Sequence, residues 1–495
     1  MKPDFEDVKR LAASGDYRRI PVYRELYADA FTPIEVMRTL RAASRHCYLL
    51  ESAEDNEQWG RYTFLGYAPV MELTCMDGVL RIVAGAEDGD KKETITKTDH
   101  PGDAIREILN AYKSPVMKEL PPFTGGLVGY FSYEYIQYGE PSLGLTGGAD
   151  NDFRDVDLML FDKVIVFDNY RQKLVLIAGV DTADMENSYR QAQVSLDEIE
   201  RLLKSGARAD FKPLVLGGPL TPAFSKEKYC AMVERARHYI HEGDIFQVVL
   251  SNPMEADATG SLFDAYRVLR ATNPSPYMFY FSSDDIEVAG ASPETLVKLQ
   301  DGVLHTFPLA GTRPRGRDAA EDARLEAELL ADEKELAEHN MLVDLGRNDI
   351  GKISRLGSVA VEKYMEIQRF SHVMHIGTTV AGTIREDKDA VDAIDAILPA
   401  GTLSGAPKLR ACEIIRELEG RKRGVYGGAI GYLDFTGNLD TCISIRLAYK
   451  KNGRVCVQSG AGIVNDSVPE NEFTECCNKA QAVINALQMA QEGIR

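Results

Sequence analysis

Residues 205–224 carry the feature that divides this chain. Ser205-Gly-Ala-Arg-Ala-Asp is followed shortly by Leu216-Gly-Gly-Pro-Leu-Thr-Pro, and neither helical nor strand periodicity survives glycine and proline at that density. The break predicts two domains: an N-terminal α+β domain over 1–215 and a C-terminal domain over 225–495. Each is long enough to bury its own core, since the 495 residues are 44% hydrophobic and 27% charged.

On the N-terminal side, residues 1 to about 45 read as helical turns, with Thr32 and Pro33 opening a run in which Ile34, Met37, Leu40 and Ala43 keep helical spacing. Short pieces rich in β-branched and aromatic residues follow at 48–50, 62–68, 70–75 and 79–83 and read as strands. Segments 161–168 and 173–178, split by Asn169-Tyr-Arg-Gln, predict a hairpin, and 185–203 predicts an amphipathic helix. Beyond the break, Ser225 caps a helix to about residue 241. The chain then alternates strands with long helices, ending in a helix opened by Asp466-Ser467 and Pro469.

Charge limits what the chain binds. Lys and Arg number 57 against 76 Asp and Glu, a net charge of −19, and that field opposes nucleic acid and acidic membranes as partners. No stretch reaches the ~18 apolar residues of a membrane span, and Met1-Lys-Pro-Asp-Phe-Glu-Asp lacks a basic region followed by an apolar one, so a cytoplasmic location is expected. The 8 Cys contain no CxxC pair, which indicates neither a disulfide framework nor a zinc site. An anionic ligand would need a site built locally from a metal ion, a few Arg or Lys, and backbone N–H groups.

Two acidic segments suit such a site. Glu335 and Glu338 are three residues apart and share a helix face; Glu472, Glu475 and Lys479 share a face of the last helix. Two facing helices of this kind would offer hard oxygen ligands to Mg²⁺. Spacing alone also allows plain solvated acidic faces. Ala310-Gly-Thr-Arg-Pro-Arg-Gly, Pro399-Ala-Gly-Thr-Leu-Ser-Gly-Ala-Pro-Lys and Ser459-Gly-Ala-Gly-Ile bring unobstructed backbone near whatever they line, as ordinary turns also do. None is a P-loop or a complete dinucleotide fingerprint. Together these residues point to a metal-assisted enzyme for an anionic small molecule.

Longer motifs sharpen this reading. In order they are Gly243-Asp-Ile-Phe-Gln-Val-Val-Leu-Ser, Ala291-Ser-Pro-Glu, Pro308-Leu-Ala-Gly-Thr-Arg-Pro-Arg-Gly, Ala337-Glu-His-Asn-Met-Leu-Val-Asp-Leu-Gly-Arg-Asn-Asp, Val373-Met-His, the Pro399 segment, and Gly460-Ala-Gly-Ile-Val-Asn-Asp-Ser-Val-Pro-Glu. Through them the C-terminal half resembles the chorismate-utilising enzymes. The whole chain resembles the large synthase components (component I) of anthranilate synthases, closely over 225–490 and more loosely before 210. The resemblance implies an α+β fold in which two large, mainly antiparallel sheets pack face to face with helices outside.

It also implies roles. Glu338 and Glu475 would hold Mg²⁺, with Glu472 and Glu335 supporting them directly or through water, and Glu335 counts among the catalytic groups. Arg446, Lys479, Tyr426, Thr402, Gly311, Thr312, Gly460 and Gly462 would hold the chorismate dianion. Isochorismate and salicylate synthases carry a Lys at the position of Gln247 that activates water, and a neutral amide cannot do this. Aminodeoxychorismate synthases typically carry a nucleophilic Lys where this chain has Ala310. Both positions fit direct attack by ammonia, with Glu294 as general acid for the departing hydroxyl and His375 supporting elimination of pyruvate. His339 is assigned a structural role. Asn252, and Ile-Gly-Thr-Thr after His375, depart from the family's usual residues.

The resemblance further implies a tryptophan effector site from Glu51, Ser52, Arg61, Pro274, Pro276, Tyr277, Met278 and Cys442, with the Glu51 carboxylate facing an amino group and apolar residues around an indole. The sequence shows no Cys-bearing nucleophile elbow, so ammonia is expected from a separate glutamine amidotransferase subunit (component II) in a two-plus-two heterotetramer. The rival readings are an aminodeoxychorismate or aminodeoxyisochorismate synthase component and a non-catalytic tryptophan-binding sensor.

Overall fold

The computed structural model describes residues 1–53, 60–85, 89–144, 153–369 and 373–493. Two antiparallel sheets organise them, one of 13 strands and one of 12. The first runs from an edge at Arg19–Tyr27 through Lys173–Asp181, Val164–Asp168, Tyr62–Tyr67 and Cys47–Glu51 to Tyr277–Ser282, Ile286–Ser292, Leu447–Lys451, Arg454–Ile463 and Gln247–Thr259. The second passes from Leu309–Pro314 through Val373–Thr383, Val303–Thr306, Thr295–Gln300, Leu439–Ile443 and Ala429–Asp434 to Gly126–Phe131 and the strands beyond.

The sheets meet face to face over a buried aromatic layer. Tyr48, Phe64, Phe279 and Phe281 come from the first sheet, and Val128, Tyr130, Ile430 and Tyr432 from the second. Alternation explains the partition: along Cys47–Glu51, Tyr48 enters this layer, while Leu49 joins the outer core formed with helices Pro33–Ala43, Met185–Lys204, Phe263–Thr272 and Pro469–Glu492. Helices Gly102–Ala111, Glu333–Gly351 and Ala390–Ile397 cover the outer face of the second sheet. The α+β double-sheet expectation therefore holds. Among the described residues no helix is long and apolar enough to cross a membrane.

Both sheets take strands from both sides of residues 205–224. Cys47–Glu51 pairs with Tyr277–Ser282, and Gly126–Phe131 pairs with Ala429–Asp434. The break marks a crossing in the sequence, while the sheets run through it.

Local signals explain most elements. The Thr32 side chain accepts from the Glu35 N–H, and the Ser225 side chain accepts from the Lys228 N–H. Asn169–Gln172 turns the hairpin of Val164–Asp168 and Lys173–Asp181, with Gln172 at φ 54°. The last helix begins at Pro469, and its flanking residue Val468 supplies no side-chain cap; the Ser467 hydroxyl instead accepts from the Val464 N–H. One segment departs from expectation. Within the first 45 residues, Arg19–Tyr27 is an edge strand paired along its length with Lys173–Asp181, and Pro21 is tolerated at such an edge.

Candidate active site and inter-sheet cavity

The acidic helix Glu333–Gly351 is placed by its own N-terminus. The Asp332 side chain accepts from the N–H groups of Lys334 and Glu335 at 3.1 and 3.3 Å and receives Arg313 Nη2 at 2.9 Å, which fastens the helix across strand Leu309–Pro314. Glu335 consequently lies against that strand, 3.7 Å from Arg313, and a Cβ on Gly311 would come within 3.3 Å of its Oε2. Burial pushes the Glu338 carboxyl up, and the Glu335 and Glu475 charges add to the rise. Burial likewise raises Glu472, with Glu475 reinforcing it and a Ser467 hydrogen bond opposing it. The two acidic helices thus face each other electrostatically across Glu338, Glu475 and Glu472. Lys479 Nζ sits 2.6 Å from Glu475.

Opposite them, burial lifts the Glu294 carboxyl to about 7, against a hydrogen bond from Thr402 and the charge of Lys479. Thr402 Oγ1 donates to Glu294 Oε1 at 3.3 Å from the turn Gly401–Leu403. His375 Nδ1 lies 2.9 Å from the Gly311 carbonyl and 3.1 Å from Thr312 Oγ1. A carbonyl only accepts, so the proton resides on Nδ1. Burial, with help from the Arg446 charge, holds this imidazole below its ordinary range and therefore neutral at pH 7.

Arg446 is the least satisfied cation of the group. Burial depresses it, and among the described residues no carboxylate lies within 4.0 Å of its guanidinium. Its backbone is held at φ 53°, a left-handed conformation that costs a non-glycine residue roughly 1 kcal/mol or more and recurs where a side chain is aimed for function. The buried hydroxyl of Tyr426 neighbours Arg446 electrostatically, and a Cβ on Gly460 would come within 3.0 Å of it. A Cβ on Gly462 would meet Gln247 Nε2 at 2.8 Å. Glycine at both places keeps this strand open to the amide and the hydroxyl.

The sequence-selected groups therefore form a continuous neighbourhood from Glu294 through Lys479, the acidic pairs, Gly311 and His375 to Arg446, Tyr426 and Gly460. Oxygen donors and a concentrated negative charge suit Mg²⁺. Among the described residues, however, the one His, Cys, Asp or Glu triad with donor atoms within 4.8 Å lies elsewhere, at His46, Glu72 and Asp284. His339 is buried with Nε2 2.6 Å from Thr378 Oγ1, and burial lowers its imidazole to about 4, in keeping with a structural role. Asn252 exchanges two hydrogen bonds with the Phe224 backbone, at 3.0 and 2.8 Å, which gives that family departure a packing explanation.

A cavity of about 430 Å³ lies between the sheets. Glu51, Ser52, Arg61, Pro276, Tyr277, Met278 and Cys442 all line it; Pro274 does not. Glu51 is also tied to a helix. Its carboxylate receives Arg270 Nε at 2.6 Å and the Tyr266 hydroxyl, both from helix Phe263–Thr272, because its position in the strand alternation turns it toward that outer helix. The carboxylate has further acceptor sites, and the residue still lines the cavity. Arg61 makes a two-point pair with Asp168 at 2.8 and 3.2 Å. The polar residues that sequence reasoning missed on this wall include Lys298, Asn438 and Asp440. Asp440 stands two residues before Cys442, in Leu439-Asp-Thr-Cys, and was legible from that neighbour.

A family model described as chorismate binding enzyme matches residues 45–485. The chain belongs to this family. Within it, the chain is 45% identical over 498 residues to a protein of Acetivibrio thermocellus named anthranilate synthase component 1, covering 99% of each. It is also 45% identical to the Pseudomonas aeruginosa protein of that name, again over 99% of each chain. A crystal structure of anthranilate synthase component I from Streptococcus pneumoniae superposes with a TM-score of 0.74 at 41% identity, covering 86% of this chain and 92% of that one. The menaquinone-specific isochorismate synthase of Escherichia coli, 20% identical with a TM-score of 0.67 over 98% and 99% of the chains, shares the fold of this chorismate-binding enzyme.

Proposed function

We propose that this chorismate-binding enzyme is the ammonia-using synthase component of an anthranilate synthase, converting chorismate and ammonia to anthranilate, pyruvate and water. The observation that carries the reading is the pairing of a neutral amide at Gln247 and an inert Ala310 with a buried, protonated-range Glu294. Neither a base for water nor an amine nucleophile stands at those positions, while a carboxylic acid stands ready to donate.

Arg446 grips one carboxylate of chorismate, with the Tyr426 hydroxyl and the open backbone at Gly460 and Gly462 beside it. Glu338 and Glu475, with Glu472 and Glu335, would hold Mg²⁺, which when bound supplies positive charge to the substrate carboxylate. Ammonia forms the C–N bond at C2 as the C4 hydroxyl leaves; Glu294 gives that hydroxyl its proton, and water departs. His375, neutral and protonated on Nδ1, has its lone pair on Nε2 and takes the C2 proton as pyruvate is eliminated and the ring becomes aromatic. Seven thiols, Cys75, Cys230, Cys412, Cys442, Cys456, Cys476 and Cys477, are raised by burial, and none of these has the depressed pKa of an activated nucleophile. The reading assigns ammonia delivery to a separate glutaminase component, in a two-plus-two assembly in the cytoplasm, as the resemblance implies.

Arg446→Lys should raise the KM for chorismate roughly 10- to 100-fold, because a point charge replaces a planar fork on a carboxylate. A KM within twofold of the parent would remove Arg446 from the substrate site.

The inter-sheet cavity is read as the tryptophan effector site, on the strength of seven motif residues from distant segments lining one space. Ser52→Phe should raise the tryptophan concentration for half-inhibition roughly tenfold or more. Unaltered sensitivity would remove Ser52 from the site.

A further inference from the structure

One hydroxyl of the cavity wall reaches the residue next to Glu294. Tyr277 lines the cavity, and its hydroxyl donates to Asp440 Oδ1 at 2.8 Å. That hydroxyl is also 2.9 Å from Thr295 Oγ1. A tyrosine has a single proton to give, so Thr295 donates to Tyr277 and Tyr277 to Asp440, a directed chain whose members polarise one another. Thr295 is buried and immediately follows Glu294.

The backbone makes the same connection. The Ile443 N–H donates to the Glu294 carbonyl at 2.9 Å, and Ser292 Oγ donates to the Ile443 carbonyl at 2.7 Å. Thr295 pairs with Cys442, and the register then shifts before Val297 pairs with Thr441, so an irregularity sits directly beside the acid. Asp440 and Cys442 both line the cavity. The segment carrying Glu294 is thus held by groups that also form cavity wall, and an adjoining cavity of about 510 Å³, which shares Pro276, Lys298, Gln300 and Asp301 with the first, touches Pro293 and Thr295.

We infer that Thr295 is a positioning residue through which occupancy of the inter-sheet cavity sets the placement of Glu294. The inference rests on the effector reading of the cavity and adds the means by which that site reaches the chemistry. A ligand that draws on Tyr277 or Asp440 loosens or turns the Thr295 hydroxyl, and the neighbouring acid shifts with it. The coupling between the two sites is a measurable free energy.

Calorimetric titration of L-tryptophan into the full chain, with and without saturating chorismate and Mg²⁺ and with no ammonia source, gives the ratio of the two dissociation constants. In the parent the ratio should exceed one. Thr295→Val, which keeps the shape and deletes the hydroxyl, should leave tryptophan affinity without chorismate within about twofold while bringing the ratio toward one. Thr295→Ser should restore the ratio. Adding Tyr277→Phe to Thr295→Val should reduce it no further, since the coupling passes through the hydrogen bond that both substitutions remove. A parental ratio in Thr295→Val would overturn the role of Thr295 and leave the effector reading standing. No tryptophan binding by the parent would overturn the effector reading, and this inference with it.

Discussion

Glu294→Gln is expected to lower ammonia-dependent turnover roughly 10²- to 10⁴-fold, the usual contribution of a positioned general acid. The variant keeps the side-chain shape and the Thr402 contact and loses the transferable proton. Because burial raises this carboxyl to about 7, the parent's turnover at fixed free ammonia should fall as pH rises through about 7. The variant's residual rate should lack that descending limb. Retention of parental turnover would remove Glu294 from the acid role.

The same substitution has a stability consequence of defined sign. The folded chain binds this proton more tightly than the unfolded chain, whose value is near 4.5, so the contribution is fully present below 4.5 and is lost as pH rises through about 7. With one pKa unit equal to about 1.4 kcal/mol, the ceiling is about 3 kcal/mol. Glu294→Gln should therefore unfold at higher temperature than the parent at pH 8, with the advantage shrinking toward pH 5. Thermal unfolding at both values checks it. An equal difference at the two pH values would deny the burial cost.

Glu475→Gln carries the second large effect. Removing one carboxylate from a metal-holding set should cut Mg²⁺-dependent turnover by roughly three orders of magnitude, equivalent to several kcal/mol of charge stabilisation. Tryptophan binding should persist, because the residues lining the inter-sheet cavity are separate from the acidic helices. Glu338→Gln should behave alike, and the double variant little worse than either single one, as for residues that act as a unit. Parental turnover with parental Mg²⁺ dependence in Glu475→Gln would dismiss the metal assignment. The variant also deprives Lys479 of its 2.6 Å partner, so a changed KM for chorismate accompanies the loss.

Much of this arrangement was legible because its signals are local. The Ser225 and Thr32 caps, the Asn169–Gln172 turn and the i, i+3 carboxylate pairs each depend on a few neighbouring residues. What stayed hidden depends on partners far along the chain. Arg19–Tyr27 owes its strand to Lys173–Asp181, and its first five residues are buried in succession, so no alternation announces it there. The ties of Glu51 to a strand register and to Arg270 on a remote helix could not be read locally. The break at 205–224 was visible, but the strand order that carries both sheets across it was not. The meeting of the two acidic helices, likewise, follows from packing between elements more than 100 residues apart.

Product identity tests the central claim most directly. The purified chain is incubated with chorismate, Mg²⁺ and excess ammonium at alkaline pH, and the products are resolved by chromatography. Anthranilate and pyruvate should appear in equal amounts, dependent on Mg²⁺ and diminished by tryptophan. An amino-substituted chorismate accumulating without pyruvate would contradict the account and assign the chain an aminodeoxychorismate or aminodeoxyisochorismate synthase reaction.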